Sequence, residues 1–129
     1  NQALARFLRT FSIDIEKTVI VKDTIPAIHK ALRDLLEECD FIVTSGGLGP
    51  TKDDLTKEAL GSFFGKKTLF SAEAMSVAEK NYEKFGRAFP GKEHGYCFLP
   101  EGFLALNNPT GFAPGLFYQE EEKLSLIHI

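Results

Sequence analysis

The stretch with the clearest potential for chemistry runs from Thr44 to Thr56 and reads TSGGLGPTKDDLT. An apolar run ends there, Gly46, Gly47 and Gly49 follow, and a helical pattern begins near Thr51. Glycine allows tight turns and lets a ligand approach the main chain closely. The first N–H groups of a helix carry partial positive charge and attract anions. The segment therefore predicts a phosphate-binding loop, although its spacing matches neither GxGxxG nor GxxxxGK(S/T).

Three aspartates could bring a cation to this loop. Asp53 and Asp54 lie in the first turn of the expected helix, and Asp23 follows an earlier apolar run. A divalent cation held by these carboxylates would bridge to phosphate oxygens. The simpler interpretation is that Asp53 and Asp54 complement the helix dipole behind Thr51 as N-cap, while Asp23 closes an Asx turn. The residues alone leave both interpretations open.

A second glycine-rich turn, from Gly111 to Gly115, could present backbone N–H groups opposite the first. It could equally be a plain connection between two late strands. His94 lies in an irregular segment and His29 on a polar helix face, so both are expected to be solvated rather than catalytic. Cys97 has no histidine close to it in the pattern that a nucleophile needs, and no catalytic role is expected for it.

The elements that must position these residues follow from hydrophobic periodicity. Helices are predicted for a stripe from Leu4 to Phe11 and for the segments Ile25 to Cys39, Thr51 to Gly65 and Ala72 to Phe85. Buried strands are predicted at Thr18 to Val21, Phe41 to Thr44, Phe103 to Leu106 and Leu116 to Tyr118, with an irregular stretch from Arg87 to Pro100. This alternation predicts an α/β fold whose mostly parallel sheet is covered on both faces, with ligands beyond the carboxyl ends of the strands.

Composition excludes several other classes of protein. The chain has 129 residues, of which 43% are hydrophobic and 26% charged, values typical of one globular domain. Its net charge of −3 and the lack of a concentrated basic stripe argue against direct nucleic-acid binding. No apolar run approaches the ~20 residues needed to span a bilayer, so no membrane association is expected. The two cysteines suggest no disulfide framework, which favours a cytoplasmic location.

The segment TSGGLGPTKDDLTKEA, residues 44–59, closely resembles the signature of the N-terminal domain of CinA competence/damage-inducible proteins. That domain belongs to the molybdopterin-binding superfamily, which includes MogA, MoeA and gephyrin-like proteins. Further segments follow in the family's order, and these are Val21–Asp23, Phe85–Arg87, Leu99–Gly102 and Asn108–Gly115.

The resemblance implies a MogA-like three-layer α/β/α sandwich with a mixed, mostly parallel sheet that here lacks its first strand. It implies catalytic roles for Asp54 and Asp23, and a divalent metal, Mg²⁺, Mn²⁺ or Co²⁺, held by Asp54, Asp53 and Asp23. The nucleotide- or pterin-binding residues that it implies are Thr44, Ser45, Gly46, Gly47, Gly49, Thr56, Gly111, Ala113, Pro114 and Gly115.

The activity implied for a CinA-type domain is metal-dependent cleavage of the pyrophosphate bond of ADP-ribose or a related nucleotide. One alternative is molybdopterin binding with adenylyl transfer, as in molybdenum cofactor synthesis. Another is a non-catalytic nucleotide- or pterin-binding module, because Gly95-Tyr96 stands where the family usually has Lys-Gln, and Phe112 where it usually has Thr. The expected partners are a small nucleotide or pterin, further copies of the chain, and a C-terminal deamidase domain in the intact protein.

The two ends of the chain carry a separate expectation. Residues 1–123 are assigned to the domain, whose opening strand would precede Asn1. Residues 124–129, LSLIHI, match the translation of a common transposase sequencing adapter, CTG TCT CTT ATA CAC ATC. The hypothesis is that this tail is not native, and a different codon string in the underlying nucleotides would refute it.

Overall fold

The computed structural model of the chain describes residues 2–51 and 54–120, and the backbone of residues 124–128. The helices are α1 (Gln2–Arg9), α2 (Ile25–Glu38), α3 (Thr56–Phe63) and α4 (Ala72–Lys84), and a 3₁₀ turn covers Gly95–Cys97. The strands are β1 (Phe41–Thr44), β2 (Thr68–Phe70), β3 (Phe98–Pro100), β4 (Leu104–Leu106), β5 (Gly115–Glu120) and β6 (Leu124–His128). The predicted α/β class is confirmed.

Local chemistry accounts for the ends of the two longer helices. Pro26 occupies the first turn of α2, where its missing N–H costs nothing. The Ser71 hydroxyl caps α4 by accepting a hydrogen bond from the Ala74 N–H at 3.1 Å. Gly86, with φ +64°, ends α4 in the left-handed conformation that glycine adopts readily. The sequence predicted both helices to within one residue at each end.

The larger sheet has the strand order β1-β6-β5-β4. β1 runs parallel to β6, with Phe41 opposite Ser125, whereas β6 with β5 and β5 with β4 are antiparallel. β2 and β3 form a separate antiparallel pair. The sheet is mixed, as predicted, but the pairs between described strands are mostly antiparallel rather than parallel. The reason is the short connections between successive late strands, which only an antiparallel pair allows.

The strand predicted at Thr18 to Val21 is absent from the described structure. Residues 13–22 form an exposed, irregular segment, and the side chain of Ile20 is 99% exposed. The β-branched residues of this segment favour an extended backbone, but a strand also needs a neighbour to accept its hydrogen bonds. None of the described strands pairs with it.

The core lies between the helices and the sheet. Leu32 of α2, Leu60 of α3 and Leu116 of β5 are each at most 2% exposed and belong to one apolar cluster. Phe103 and Tyr118 stack in this cluster with ring centroids 4.4 Å apart. α3 packs on α2 and β3, and α4 packs on β4 and on the 3₁₀ turn. Among the described residues, no helix has the length and apolar character needed to cross a bilayer.

Candidate functional site

The glycine-rich loop leaves the end of β1 in a conformation that requires glycine. Gly46 and Gly47 have φ values of +101° and +68°. The hydroxyl of Thr56, which is buried, donates to the Gly46 carbonyl at 2.8 Å. A Cβ on Gly47 would lie 2.3 Å from that same hydroxyl oxygen. The first residue of α3 therefore fixes the loop, and Gly47 has no room for a side chain.

Asp54 is held on the second half of the loop. Its Oδ2 accepts hydrogen bonds from the Thr51 hydroxyl at 2.6 Å and from the Thr51 N–H at 3.1 Å. A Cβ on Gly49 would come within 2.1 Å of this oxygen. The Thr51 hydroxyl is the largest influence on the pKa of Asp54 and lowers it, and the N–H groups of Thr51 and Gly49 and the charge of Lys57 lower it further. The carboxylate is thus ionised at neutral pH.

The predicted start of the third helix is corrected by this geometry. α3 begins at Thr56 rather than near Thr51, and Thr51 donates to Asp54 instead of capping the helix. Asp54 therefore lies ahead of the helix, where its N–H bonds to the Thr51 carbonyl at 3.1 Å. A local turn closed by an aspartate competes with helix formation, and here the turn prevails.

Lys57, which the sequence reasoning missed, lies in the first turn of α3, where its charge acts on this carboxylate. Its Nζ donates to the carbonyl oxygens of Gly95 at 2.5 Å and Phe98 at 3.4 Å. Burial lowers the pKa of Lys57, while the negative charge of Asp54 acts in the opposite direction. A cation at a helix N-terminus opposes the helix dipole. That mismatch is the feature of the sequence that could have revealed it.

The 3₁₀ turn packs directly against the glycine-rich loop. A Cβ on Gly95 would lie 3.3 Å from the Cα of Pro50. His94 Nδ1 accepts a hydrogen bond from the Tyr96 N–H at 3.4 Å, which caps the turn and requires an unprotonated Nδ1. Burial, followed by the charge of Lys57, lowers the pKa of His94. The expectation that His94 is a solvated loop residue was wrong, because its ring is half-buried.

His29 is also not simply solvated. Its Nε2 lies 2.9 Å from the Ala59 carbonyl oxygen and 3.0 Å from the Ser62 hydroxyl oxygen, and its ring packs on Phe63. This histidine therefore links α2 to α3. Cys97 is fully buried, and burial raises the pKa of its thiol, so the expectation of no nucleophilic role agrees with its surroundings.

A cluster of aromatic rings connects the 3₁₀ turn to the second glycine-rich turn. Phe112 packs on Tyr82 with a centroid distance of 4.6 Å. Tyr82 lies 6.4 Å from Tyr96, whose ring is 4.5 Å from that of His94. Phe85 and Phe89 complete the cluster. The ring of Phe112, in the second glycine-rich turn, thus packs against neighbouring rings.

The second turn is held by amide side chains. Asn81, which is 2% exposed, donates through Nδ2 to the Phe112 carbonyl at 3.2 Å. Asn108 Nδ2 donates to the Ala113 carbonyl at 2.8 Å, and a Cβ on Gly111 would lie 2.8 Å from that nitrogen. Pro114 and Gly115 are buried at the start of β5. The carbonyls of this turn therefore bond to the protein itself.

Asp23 is exposed and lies just before α2, outside the glycine-rich loop that leads to Asp54. It lines a cavity of about 980 Å³ between the segment 13–23, α2 and β1. Thr44, Ser45, Gly46, Gly47 and Thr56 line the same cavity. Asp23 and the first half of the loop thus border the same cavity, while Thr51 and Gly49 hold Asp54 at the second half.

A metal ion at this loop would need phosphate oxygens or waters to complete its ligands. Among the described residues, no group of three or more histidine, cysteine, aspartate or glutamate side chains could hold a metal ion by itself, and Asp53 lies outside the described residues. Mg²⁺ usually binds one or two carboxylates, several waters and phosphate oxygens. The ionised carboxylate of Asp54 fits such an ion.

Comparison with known proteins identifies the family of this chain. The sequence model described as "Probable molybdopterin binding domain" matches residues 1–128. The chain belongs to this family. It is 32% identical over 126 residues to a "Putative competence-damage inducible protein" of Caldicellulosiruptor saccharolyticus, and 34% identical over 122 residues to one of Alkaliphilus oremlandii. These matches cover 98% and 95% of the chain but only 31% and 30% of the relatives, so the chain spans about a third of their length.

Two solved structures share the fold of this chain. The crystal structure of CinA from Thermoplasma acidophilum, a protein of unknown function, superposes with a TM-score of 0.81 at 29% identity. That match covers 99% of this chain and 74% of the other. A molybdopterin biosynthesis protein from Mycobacterium abscessus gives a TM-score of 0.56 at 18% identity, covering 99% of this chain and 66% of that one, which shows a shared fold only. The predicted resemblance to CinA is confirmed.

Proposed function

We propose that this molybdopterin-binding domain takes a nucleotide diphosphate at its glycine-rich loop and hydrolyses the pyrophosphate bond of ADP-ribose or a related nucleotide. The observation that carries the proposal is the carboxylate of Asp54, which Thr51 and Gly49 hold ionised at the end of that loop. A fixed anion beside a phosphate-binding loop repels phosphate unless a cation lies between them. That cation is the divalent metal, with Asp54 as its ligand from the described residues.

The loop would bind the phosphates through its main chain. Gly46 has no side chain and open space around the position that a Cβ would take, so phosphate oxygens can approach the main chain there. Thr44 and Ser45 would contribute hydroxyl groups next to them. The cavity that these residues share with Asp23 gives the rest of the nucleotide a place to lie.

The reaction adds water across the pyrophosphate bond. The water oxygen bonds to one phosphorus, the bridging P–O bond breaks, and AMP and ribose 5-phosphate leave with the two released protons. The bound metal supplies Lewis-acid stabilisation of the negative charge on the phosphates. The hydrogen bond from Thr51 fixes the Asp54 carboxylate, so the position of this metal ligand does not depend on the substrate.

Two other functions start from the same loop. Binding of molybdopterin with adenylyl transfer is favoured by the description of the family whose model matches the chain. A non-catalytic nucleotide- or pterin-binding module is favoured by Phe112, which packs on Tyr82 and Phe85 and brings no hydroxyl group to the second turn. The chain spans about a third of the length of its relatives. A cytoplasmic location, a homo-oligomer and a C-terminal deamidase domain in the intact protein remain part of the proposal.

The test follows AMP release from ADP-ribose with and without Mg²⁺, Mn²⁺ or Co²⁺. Asp54→Asn should abolish release while the thermal unfolding midpoint stays close to that of the wild type. Asp34→Asn is the matched control, because Lys30 lowers the pKa of Asp34 as Thr51 lowers that of Asp54, but Asp34 lies on α2 away from the loop. Asp34→Asn should keep full activity.

The alternatives give different results in the same assay. Nucleotide binding without AMP release by the folded wild type would favour the non-catalytic module. Binding of molybdopterin but not of ADP-ribose would favour the cofactor-synthesis reaction. Undiminished release by Asp54→Asn would remove this carboxylate from the mechanism.

A further inference from the structure

We propose that Lys57 is a positioning residue that sets the conformation of the glycine-rich loop by holding the 3₁₀ turn that packs against it. The proposal rests on the proposed function for its consequence in ligand binding, but the contacts that support it are independent of any ligand. They connect Lys57 to Asp54 through three successive packing steps.

The first step joins α3 to the 3₁₀ turn. The Nζ of Lys57 donates to the carbonyl of Gly95, where the turn begins, and to that of Phe98, just after it ends. Lys57 and these carbonyls lie 38 and 41 residues apart in sequence. One ammonium group therefore fixes both ends of the turn relative to the first turn of α3.

The second step joins the 3₁₀ turn to the loop. A Cβ on Gly95 would lie 3.3 Å from the Pro50 Cα and 3.4 Å from the Pro50 carbonyl oxygen. The two backbones are thus in close contact, with no side chain that could absorb a shift. A displacement of the turn must be passed on to Pro50.

The third step joins Pro50 to the functional carboxylate. Pro50 stands between Gly49 and Thr51, the two residues that surround the Asp54 carboxylate. The ring of proline fixes its own φ, so a shift of Pro50 moves its neighbours with it. Lys57 thereby controls the position of Asp54 through the backbone of the turn and of Pro50. A direct contact between the two side chains is not needed.

The charge balance of Lys57 separates this role from a purely stabilising one. Partial burial of the ammonium group lowers the pKa of Lys57, and the negative charge of Asp54 offsets this effect only in part. Methionine removes the charge and its burial cost while keeping an unbranched side chain of similar length in the same place. Lys57→Met should therefore release the loop without unfolding the domain.

The experiment measures amide hydrogen exchange in the wild type, Lys57→Met and the control Lys67→Met, which removes an exposed lysine beyond α3. Lys57→Met should speed exchange at the Asp54 N–H, bonded to Thr51, and at the Cys97 N–H, bonded to His94, by at least about tenfold. The Met75 N–H, bonded to Ser71 at the start of α4, should keep its rate. Lys67→Met should change none of the three.

Binding of inorganic pyrophosphate, measured by calorimetry, gives the consequence for the site. Lys57→Met should weaken it about tenfold, the factor that corresponds to one hydrogen bond with a charged partner. If the wild type binds neither pyrophosphate nor ADP-ribose, the proposed function fails, and the exchange rates still decide whether Lys57 positions the loop. Unchanged exchange at Asp54 in the folded variant overturns the proposal.

A second variant keeps the test decisive if Lys57→Met does not fold. Gly95→Ala leaves the lysine in place and pushes the turn away from Pro50, since the new Cβ would be 3.3 Å from the Pro50 Cα. It should speed exchange at the Asp54 N–H in the same way. Normal exchange at Asp54 in Gly95→Ala would show that the turn does not transmit its position to the loop.

Discussion

At the scale of single residues, Gly49 and Asp54 depend on each other. The carboxylate occupies the space that any side chain on Gly49 would need, with 2.1 Å between the Asp54 Oδ2 and an ideal Cβ. The glycine is therefore required by a close approach within the protein itself, in addition to any approach of a ligand. A loop glycine near an acidic residue can therefore be required by a contact within the protein, even where no phosphate binds.

Gly49→Ala should raise the pKa of Asp54 towards its ordinary value of 3.8. The new methyl group displaces the carboxylate from the Thr51 hydroxyl and N–H groups, and these hydrogen bonds are what lower that pKa. A titration of the carboxyl carbon by NMR measures the change. Gly65→Ala is the control, since it adds the same methyl group in open space, there at a left-handed position with φ +63° that Gly49 does not share. An unshifted Asp54 pKa in folded Gly49→Ala would contradict the steric argument.

At the scale of elements, the 3₁₀ turn of residues 95–97 joins the parts of the site. It contacts the glycine-rich loop through Gly95, α3 through the Lys57 ammonium, and the aromatic cluster through Tyr96. The His94 imidazole caps it in the neutral form. Because the parts of the site meet at this short turn, protonation of His94, which caps the turn, is expected to affect all of them.

The free energy of unfolding should fall as the pH drops below about 6.5, the ordinary pKa of histidine. Folding lowers the pKa of His94, so the unfolded chain binds more protons between the folded value and 6.5, and stability rises with pH across that window. Urea unfolding at pH 5 to 8 measures this slope. His94→Asn keeps an acceptor for the Tyr96 N–H but does not titrate, and it should flatten the slope. An equally steep slope in the variant would assign the effect to other groups.

At the scale of the whole molecule, β6 holds the larger sheet together. It lies between β1 and β5, parallel to one and antiparallel to the other. The glycine-rich loop leaves β1 and the second turn leads into β5, so β6 fixes the distance between the two turns of the site. A strand in that place is needed whatever the origin of residues 124–129.

A chain that ends at Lys123 should therefore lose cooperative thermal unfolding. Without β6, both β1 and β5 expose a row of unpaired backbone groups on the sides that it occupied. Calorimetry compares this chain with one that lacks only Ile129, which should keep a single sharp transition. Cooperative unfolding at an unchanged midpoint in the shorter chain would show that the sheet forms without β6.

The sequence by itself determined the features that depend on neighbouring residues. The bounds of α4, the position of β1 and the loop of glycines after it follow from hydrophobic period, capping by Ser71 and the conformational freedom of Gly46 and Gly47. The family also follows from local motifs, because its signature is one continuous segment.

Only the tertiary structure decided the features that need a distant partner. Thr18 to Val21 has the composition of a strand but finds no neighbour among the described strands, and the pairing of β6 with β1 joins segments over 80 residues apart. Lys57 acquires its role from Gly95, which no periodicity connects to it. Local propensity is an energy of single residues, whereas strand pairing and the burial of a charge depend on what the rest of the chain brings to the same place.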